Sequence, residues 1–259
     1  MPICLSHGRS GAGQVNAVLL VVLSAVIGAS MGLSGLGGFL IVPLMMVVAD
    51  ATPPQAVFTA LAANLGVTLT NGLFAIGRGQ VDWRAFRLLL VGSAVGALAG
   101  AWLVSILPPE VARYVITVCL AGLGVASLVP SRASSGSRER PLSGLAAVLL
   151  GFGAQVSAVL VGIGGPAITV PVMAAGSPRA DRVVGTALLH GAFVSSLGLF
   201  VVGLAGASFS WLVVGIGTLI VVSSLVASTY RSRVLAAVSL RPIVGVLAMV
   251  GAAVLLFLR

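Results

Sequence analysis

Charged residues are scarce in this sequence: they make up 7% of its 259 residues, while 59% are hydrophobic. A soluble domain carries about 25% charged residues, so this chain lacks the means to cover a water-facing surface. The composition therefore excludes soluble enzymes and predicts an integral membrane protein. At about 20 residues for each crossing plus short loops, the length allows about eight to ten membrane segments.

Lysine is absent, since all 14 basic residues are arginine. This absence excludes a Walker-type phosphate loop and Schiff-base chemistry. Basic residues in a membrane chain usually set topology and contact lipid headgroups, so we expect the lipid bilayer and no nucleic acid as a partner. Cys4 and Cys119 are too far apart in the sequence to indicate a disulfide framework or a zinc site. No paired acids or nucleophile–base pair lie within the apolar runs, so we expect neither an enzyme nor a cofactor.

Ten apolar runs are candidate membrane segments: 15–33, 38–50, 54–76, 84–107, 111–129, 142–161, 167–176, 182–205, 209–230 and 241–258. Two of them, 38–50 and 167–176, are short. A helix from Gly38 to Ala49 would be about 18 Å long, which is less than the roughly 30 Å of a hydrocarbon core. Each short run follows a Gly-rich stretch, which indicates half of a broken, re-entrant hairpin.

The two halves of the chain resemble each other. Pairs of similar motifs recur at offsets of 127 or 128 residues: GGFLIVP at Gly37–Pro43 with GGPAITVP at Gly164–Pro171, Thr59 with Thr186, Trp83 with Trp211, and Arg113 with Arg241. The hydrophilic stretch 130–141 divides the halves. We therefore predict a first transmembrane repeat over 15–129, a linker over 130–141, and a second repeat over 142–258.

The arginines predict the orientation of these repeats. Eleven of the 14 share one side if each short segment and its predecessor enter and leave on the same side; otherwise the split is eight to six. Because arginine-rich turns are kept in the cytoplasm, the stronger asymmetry places 130–141 there and both termini outside. Each half then has an odd number of crossings. The predicted fold is an all-α polytopic bundle of two inverted repeats, each with a re-entrant Gly-rich hairpin.

Two uncharged Gly-rich stretches are the first candidate for a binding site. Irregular backbone at membrane depth lines a cavity or is packed in protein, and the free N–H groups of a following short helix suit an anion. The alternative is that these glycines only permit close helix packing. The candidate substrate-binding residues are Ser34, Gly35, Gly37, Gly38, Gly162, Gly164 and Gly165, with Pro43 and Pro171 setting the geometry of the short helices.

Polar residues within the third and eighth segments form the second candidate group: Thr59, Asn64, Thr186 and His190. Polar groups in a span usually face the bundle interior, where they could donate to a bound oxyanion. The alternative for all four is hydrogen bonding between helices, and His190 is either a proton relay or a satisfied core histidine. All five acids lie at segment ends or in loops, which favours an anionic substrate over a cation.

These motifs resemble the TauE/SafE family, the sulfite exporters and anion permeases of bacterial inner membranes. The family signature G-x-G-G-G-x-x-x-V-P is matched at Ser34–Pro43 and at Gly162–Pro171. Helix starts similar to A-V-G-T-S follow at 56–60 and 183–187, and the resemblance covers 15–258. Leu36 and Pro166 replace expected glycines. The resemblance implies transport of sulfite, sulfoacetate or related sulfur-containing or organic anions.

The sequence therefore predicts a multi-pass permease of the bacterial plasma membrane that moves a small anion by alternating access. A homo-oligomer is compatible with this prediction but is not required by it. Two other classes stay open. A passive anion channel would share the architecture but would show no saturation, and a non-transporting scaffold or accessory subunit would need larger partner-binding loops than the sequence offers.

Overall fold

The structure, a computed structural model, describes residues 10–34, 38–49, 51–128, 142–163, 165–174, 180–204, 206 and 211–230, with positions 246, 249, 250, 252, 253 and 256. Among these residues the chain is almost entirely helical and contains no strand, which confirms the all-α prediction. The predicted linker 130–141 and most of the tenth predicted segment, 241–258, lie outside the described residues.

The helices follow the first nine predicted segments closely. They are α1 (Ser10–Ser34), α2 (Ile41–Val48, after a 3-10 turn at Gly38–Leu40), α3 (Pro53–Gly77), α4 (Trp83–Ile106), α5 (Pro109–Leu128), α6 (Gly144–Val161), α7 (Gly165–Ala174), α8 (Ala180–Leu204) and α9 (Trp211–Thr229). Only the starts of α1 and α2 differ from their predicted boundaries by more than two residues, and the 3-10 turn before α2 begins at the predicted Gly38.

Local hydrogen bonds explain where several helices begin. Asp82 caps α4, because its Oδ1 accepts from the backbone N–H groups of Arg84 and Ala85 at 3.0 and 3.1 Å. Ser143 Oγ accepts from Ala146 N–H at the start of α6. At the start of α3, the N–H of Thr52 donates to Gln55 Oε1, the reciprocal half of a capping box.

Four of the described helices are long and apolar enough to cross a membrane: Pro53–Gly77, Trp83–Ile106, Gly144–Val161 and Asp181–Leu204. Shorter apolar helices are Val18–Leu33, Gly38–Val48, Gly165–Ala174 and Val214–Thr229. With eight and ten residues, α2 and α7 are about 12 and 15 Å long. The two short segments predicted from the sequence are therefore short helices, which cannot span a hydrocarbon core of about 30 Å.

The main helix contacts come in corresponding pairs. The sequence duplication relates α1 to α6, α3 to α8 and α4 to α9. In the structure α4 packs along α6, their counterparts α9 and α1 pack along each other, and α3 packs along its own counterpart α8. Contacts between α3 and α8 run in opposite directions, from Leu61 beside Gly198 to Gly72 beside Leu189, so these two helices are antiparallel.

Glycines let α4 and α6 approach closely. A Cβ at Gly92, Gly96 or Gly100 of α4 would overlap or crowd atoms of Val148, Phe152 or Val159 of α6. Both residue numbers rise together, so α4 and α6 are parallel. This small-residue stripe is typical of helix packing in membranes.

The distribution of side chains is the reverse of that in a soluble protein. Leu98 and Leu204 are 75% and 73% exposed, whereas the described core holds polar residues with no exposed surface, including Ser93, Gln155 and His190. An apolar exterior of this extent suits lipid rather than water. The buried polar side chains lie mainly where α3, α4, α6, α7 and α8 meet.

Candidate functional site

Asn64 links the two Gly-rich stretches in the protein core. Its Nδ2 donates to the carbonyl oxygen of Gly162 at 3.3 Å, in the second half of the chain. The same side chain fills the space beside Gly38, where a Cβ would overlap Asn64 Oδ1. All three residues are buried. We refer to Gly38, Asn64 and Gly162 as the Asn64 junction.

Gly162 is required at the junction for two reasons. It ends α6 with a φ of 70°, in the left-handed region that favours glycine. In addition, a Cβ there would lie 2.8 Å from Val42 Cγ2 and 3.1 Å from Ala60 Cβ. The end of α6 is thereby packed directly against α2 and α3 of the first half. Gly38 and Gly162, the described residues of the two Gly-rich stretches that contact Asn64, therefore lie on either side of one side chain.

His190 lies in a second group of residues at the start of α7. Its Nε2 is 2.8 Å from Ser93 Oγ on α4, and Ser93 Oγ donates to the carbonyl oxygen of Gly151 on α6 at 3.1 Å. A hydroxyl has one hydrogen to donate; with that of Ser93 assigned to Gly151, Nε2 is assigned as the donor to Ser93 and as the protonated nitrogen of the neutral imidazole. We refer to Ser93, Gly165, His190 and Gly191 as the His190 cluster.

The other ring nitrogen of His190 is an acceptor without a donor. Among the described residues nothing hydrogen-bonds to Nδ1, although the side chain is fully buried. The Cβ position of Gly165, the first residue of α7, lies 3.4 Å from Nδ1. The free nitrogen therefore faces the N-terminus of a short helix, where backbone N–H groups and the helix dipole favour negative charge.

The junction and the cluster lie about one helical turn apart along the interface of α3 and α8. Thr68, four residues after Asn64, donates to the Asn64 carbonyl oxygen at 2.6 Å. On the facing helix, a Cβ at Gly191 would be 3.1 Å from Thr68 Cγ2 and 2.5 Å from Pro166 Cδ. Five predicted site residues thus occupy one buried strip: Gly38, Asn64, Gly162, Gly165 and His190.

Other predicted residues lie elsewhere or are engaged by the backbone. Thr59 Oγ1 donates to the Gln55 carbonyl oxygen at 2.8 Å. Thr186 Oγ1 donates to the Arg182 carbonyl oxygen and accepts from Asp82 N–H, at 2.7 and 2.8 Å. Pro43 is buried within α2, and Pro171 is exposed within α7. Ser34 ends α1, while Gly35, Gly37 and Gly164 lie outside the described residues.

The strip contains neutral groups only. Every buried polar side chain in the described part of the chain is a serine, threonine, asparagine, glutamine or histidine. Within the same residues, no group of three or more His, Cys, Asp or Glu could hold a metal ion. Amide, hydroxyl and backbone N–H donors without nearby carboxylates are suited to an anion.

Two buried polar residues of this region were missed in the sequence. Gln155 on α6 donates from Nε2 to the Val194 carbonyl oxygen at 3.3 Å, and its Oε1 has no partner among the described residues. A single amide inside the apolar run 142–161 was a readable signal. Ser93 lies between Gly92 and Gly96 in a stripe of small residues, so no feature of the sequence indicated that it bonds to His190.

Arginine-bearing edges meet at one end of the bundle. A cavity of about 480 Å³ there is lined by the end of α3, the start of α8 and the end of α9, including Arg78, Gln80, Asp181 and Thr229.

Comparison with known proteins agrees with this architecture. The family model described as sulfite exporter TauE/SafE matches residues 19–255, nearly the whole chain. No curated protein and no solved structure matches it. The family match confirms the resemblance of the duplicated motifs. The chain therefore belongs to the sulfite exporter TauE/SafE family of membrane transporters.

Proposed function

We propose that this protein is a permease of the bacterial plasma membrane that moves sulfite, sulfoacetate or a related small anion by alternating access. The observation that carries the proposal is the Asn64 junction, in a chain of a sulfite exporter family. One amide there joins the Gly-rich stretches of both halves, through the Gly38 contact and the bond to Gly162. A movement of one half relative to the other would therefore change the contacts of Asn64 with Gly38 and Gly162.

Binding of the anion would use backbone and neutral side-chain donors. The short helices α2 and α7 follow the two Gly-rich stretches, and free N–H groups at such helix starts attract anions. Asn64 and the cluster around His190 add polar groups within one turn of each other. We retain Thr59 and Thr186 as weaker candidates, since their hydroxyls already bond to backbone groups.

Alternating access would arise from two inverted halves. This part of the proposal is supported by the antiparallel contact between the corresponding helices α3 and α8, and by the exchanged pairs α4–α6 and α9–α1. Inverted repeats with broken helices at the site are typical of secondary transporters. The same arrangement would place the linker 130–141 in the cytoplasm and both termini outside.

Substitution of Gly38 by alanine tests the site. A Cβ there overlaps Asn64 Oδ1, so the amide must move and its bond to Gly162 weakens. We expect the initial rate of radiolabelled sulfite uptake into proteoliposomes, measured at mildly alkaline pH, to fall by about tenfold or more, which corresponds to about 1.4 kcal/mol. Gly153→Ala is the matched control, because nothing lies within 4 Å of its Cβ position.

The same assay with the wild-type protein distinguishes a permease from a passive channel and from a non-transporting scaffold. A permease gives saturable uptake that is accelerated by unlabelled sulfite on the opposite side. Flux that rises linearly with sulfite, without such acceleration, would replace the permease with a channel. Absence of flux for folded protein with sulfite, sulfoacetate, sulfate, thiosulfate and acetate would favour a scaffold. Equal rates for Gly38→Ala and Gly153→Ala would contradict the proposed site.

A further inference from the structure

The free Nδ1 of His190 is the one buried titratable nitrogen of the described core, and it has no donor. An acceptor removed from water without a partner costs free energy, so such atoms usually face a ligand or a bound water. This atom lies beside Gly165 at the N-terminus of α7, where an anion would be held. A fully deprotonated oxyanion such as sulfite cannot satisfy it by itself, because it has acceptors only.

Nδ1 of His190 and the oxyanion are both acceptors, and a proton between them would give each a hydrogen-bond partner. Ser93 fixes the hydrogen of neutral His190 on Nε2, since the single hydroxyl hydrogen of Ser93 goes to Gly151. Nδ1 is then left to receive a proton, after which it becomes a donor to the anion. The bond to Ser93 is retained in both states, so the ring does not have to turn.

The described residues in contact with His190 carry no charge that could take the place of the anion. Ser93 on α4 lies 2.8 Å from Nε2 and Gly165 on α7 lies beside Nδ1. Gly151 on α6 accepts from Ser93, and Thr68 on α3 lies beside the neighbouring Gly191. On α8 itself, the charged residues Asp181 and Arg182 are exposed at the helix start, about two turns away. An imidazolium at this position would therefore be balanced by the bound anion.

We propose that the anion crosses the membrane together with one proton, which is held on Nδ1 of His190 at the N-terminus of α7. This inference rests on the proposed permease function. One N–H bond forms when the proton and anion bind, and it breaks when they are released; no electron transfer is involved. For a monovalent anion, the transported pair would be electrically neutral.

Nitrogen NMR of the histidine side chains tests the binding step directly. The chain has two histidines, His7 and His190, so protein labelled with [15N]histidine gives two imidazoles, and His190→Gln identifies the second. We expect a neutral ring protonated at Nε2 without ligand. Saturating sulfite should shift the Nδ1 resonance from the unprotonated to the protonated position. An unchanged Nδ1 resonance, or a ring protonated at Nδ1 before sulfite is added, would overturn the proposal.

Proton movement tests the transport step. In proteoliposomes with an entrapped pH indicator, wild-type protein should move one proton with each sulfite, and an acidic exterior should accelerate uptake. Glutamine at position 190 can still donate to Ser93 but cannot take up a proton, so His190→Gln should lose both effects. Ser195→Ala is the control, because Ser195 is a buried hydroxyl on the same helix without a partner; it should keep the wild-type proton ratio.

The outcomes separate this inference from the proposed function. Absence of anion flux in the wild-type protein overturns the permease itself. Saturable sulfite flux without proton movement leaves the permease standing and overturns the role of His190, as does a His190→Gln variant that keeps the wild-type proton ratio. If His190→Gln does not fold, the wild-type proton ratio and the NMR experiment decide the question.

Discussion

Each half of the chain has a close contact between the start of its short helix and the following long helix. In the two contacts, the larger residue lies on opposite partners. In the first half, Gly38 is small and Asn64 fills the space beside it. At the corresponding positions of the second half, Pro166 is large and Gly191 is small, and the Pro166 ring lies against the Gly191 backbone. The larger volume therefore lies on opposite partners of the two contacts, on Asn64 in the first half and on Pro166 in the second.

This exchange gives the halves different chemistry. Asn64 supplies an amide donor that reaches across to Gly162. Gly191 supplies no side chain, and the neighbouring His190 instead presents an acceptor at the start of α7. The first half thus supplies a donor to this buried region, and the second half supplies an acceptor. The replacement of a family glycine by Pro166 is part of this exchange.

Adding one methyl group at position 191 should disrupt the contact between Gly191 and Pro166 and cause the largest loss of stability. In Gly191→Ala the Cβ would lie 2.5 Å from Pro166 Cδ, and a proline ring within a packed helix cannot move aside easily. We expect a loss of about 3 kcal/mol, the upper part of the range for overpacking, measured as a lower thermal unfolding midpoint in detergent. Gly203→Ala on the same helix is the control, since its nearest neighbour is 3.8 Å away.

The contact between Pro166 and Gly191 can also be changed to resemble that of Gly38 and Asn64, with the smaller residue on the short helix. Pro166→Gly removes the ring that the new methyl group meets, so the double variant Pro166→Gly/Gly191→Ala should be more stable than the sum of the single changes predicts. Contacting residues commonly show coupling of about 0.5–3 kcal/mol in such a cycle. Additive effects would contradict the idea that these two positions share one volume.

Removal of the Asn64 amide should break the first contact with an intermediate effect. Asn64→Ala leaves the buried Gly162 carbonyl oxygen without its donor, at a cost of about 1–2 kcal/mol. Sulfite transport should fall with stability, because the link between the halves is lost. Asn71→Ala is the matched control: Asn71 donates to Val67 within α3 and does not join the halves. Equal losses of transport in the two variants would contradict the junction.

Substitution of the repeated threonines, Thr59 and Thr186, should have the smallest effect on stability. Thr186 accepts from Asp82 N–H at the start of α4, whereas Thr59 bonds within its own helix. Thr186→Val should therefore cost about 1 kcal/mol, because it leaves a backbone N–H unpaired, while Thr59→Val should stay within about 0.5 kcal/mol of wild type. Both values follow from unfolding midpoints in one detergent. A larger loss for Thr59→Val would reverse the assignment.

Much of the fold could be predicted because membrane segments are encoded locally. A helix in lipid must satisfy its own backbone hydrogen bonds within the segment, so apolar runs and their Gly, Pro and Asp boundaries are sufficient to find it. The short runs after the Gly-rich stretches predicted α2 and α7 for the same reason. The repeated motifs also marked both Gly-rich stretches as candidate site regions, and Gly38 and Gly162 from these stretches lie in the Asn64 junction.

The sequence by itself determined the membrane character, the helices, the recurrence of motifs along the chain and the family. Only the tertiary structure decided which polar groups are free to act. Asn64 bonds to Gly162, 98 positions away, and His190 to Ser93, 97 positions away, while the Thr186 hydroxyl is occupied by Asp82. Equivalent threonines or small residues look alike in a sequence. Their chemistry differs because each hydrogen bond is completed by a group that only the folding of one helix against another brings within reach.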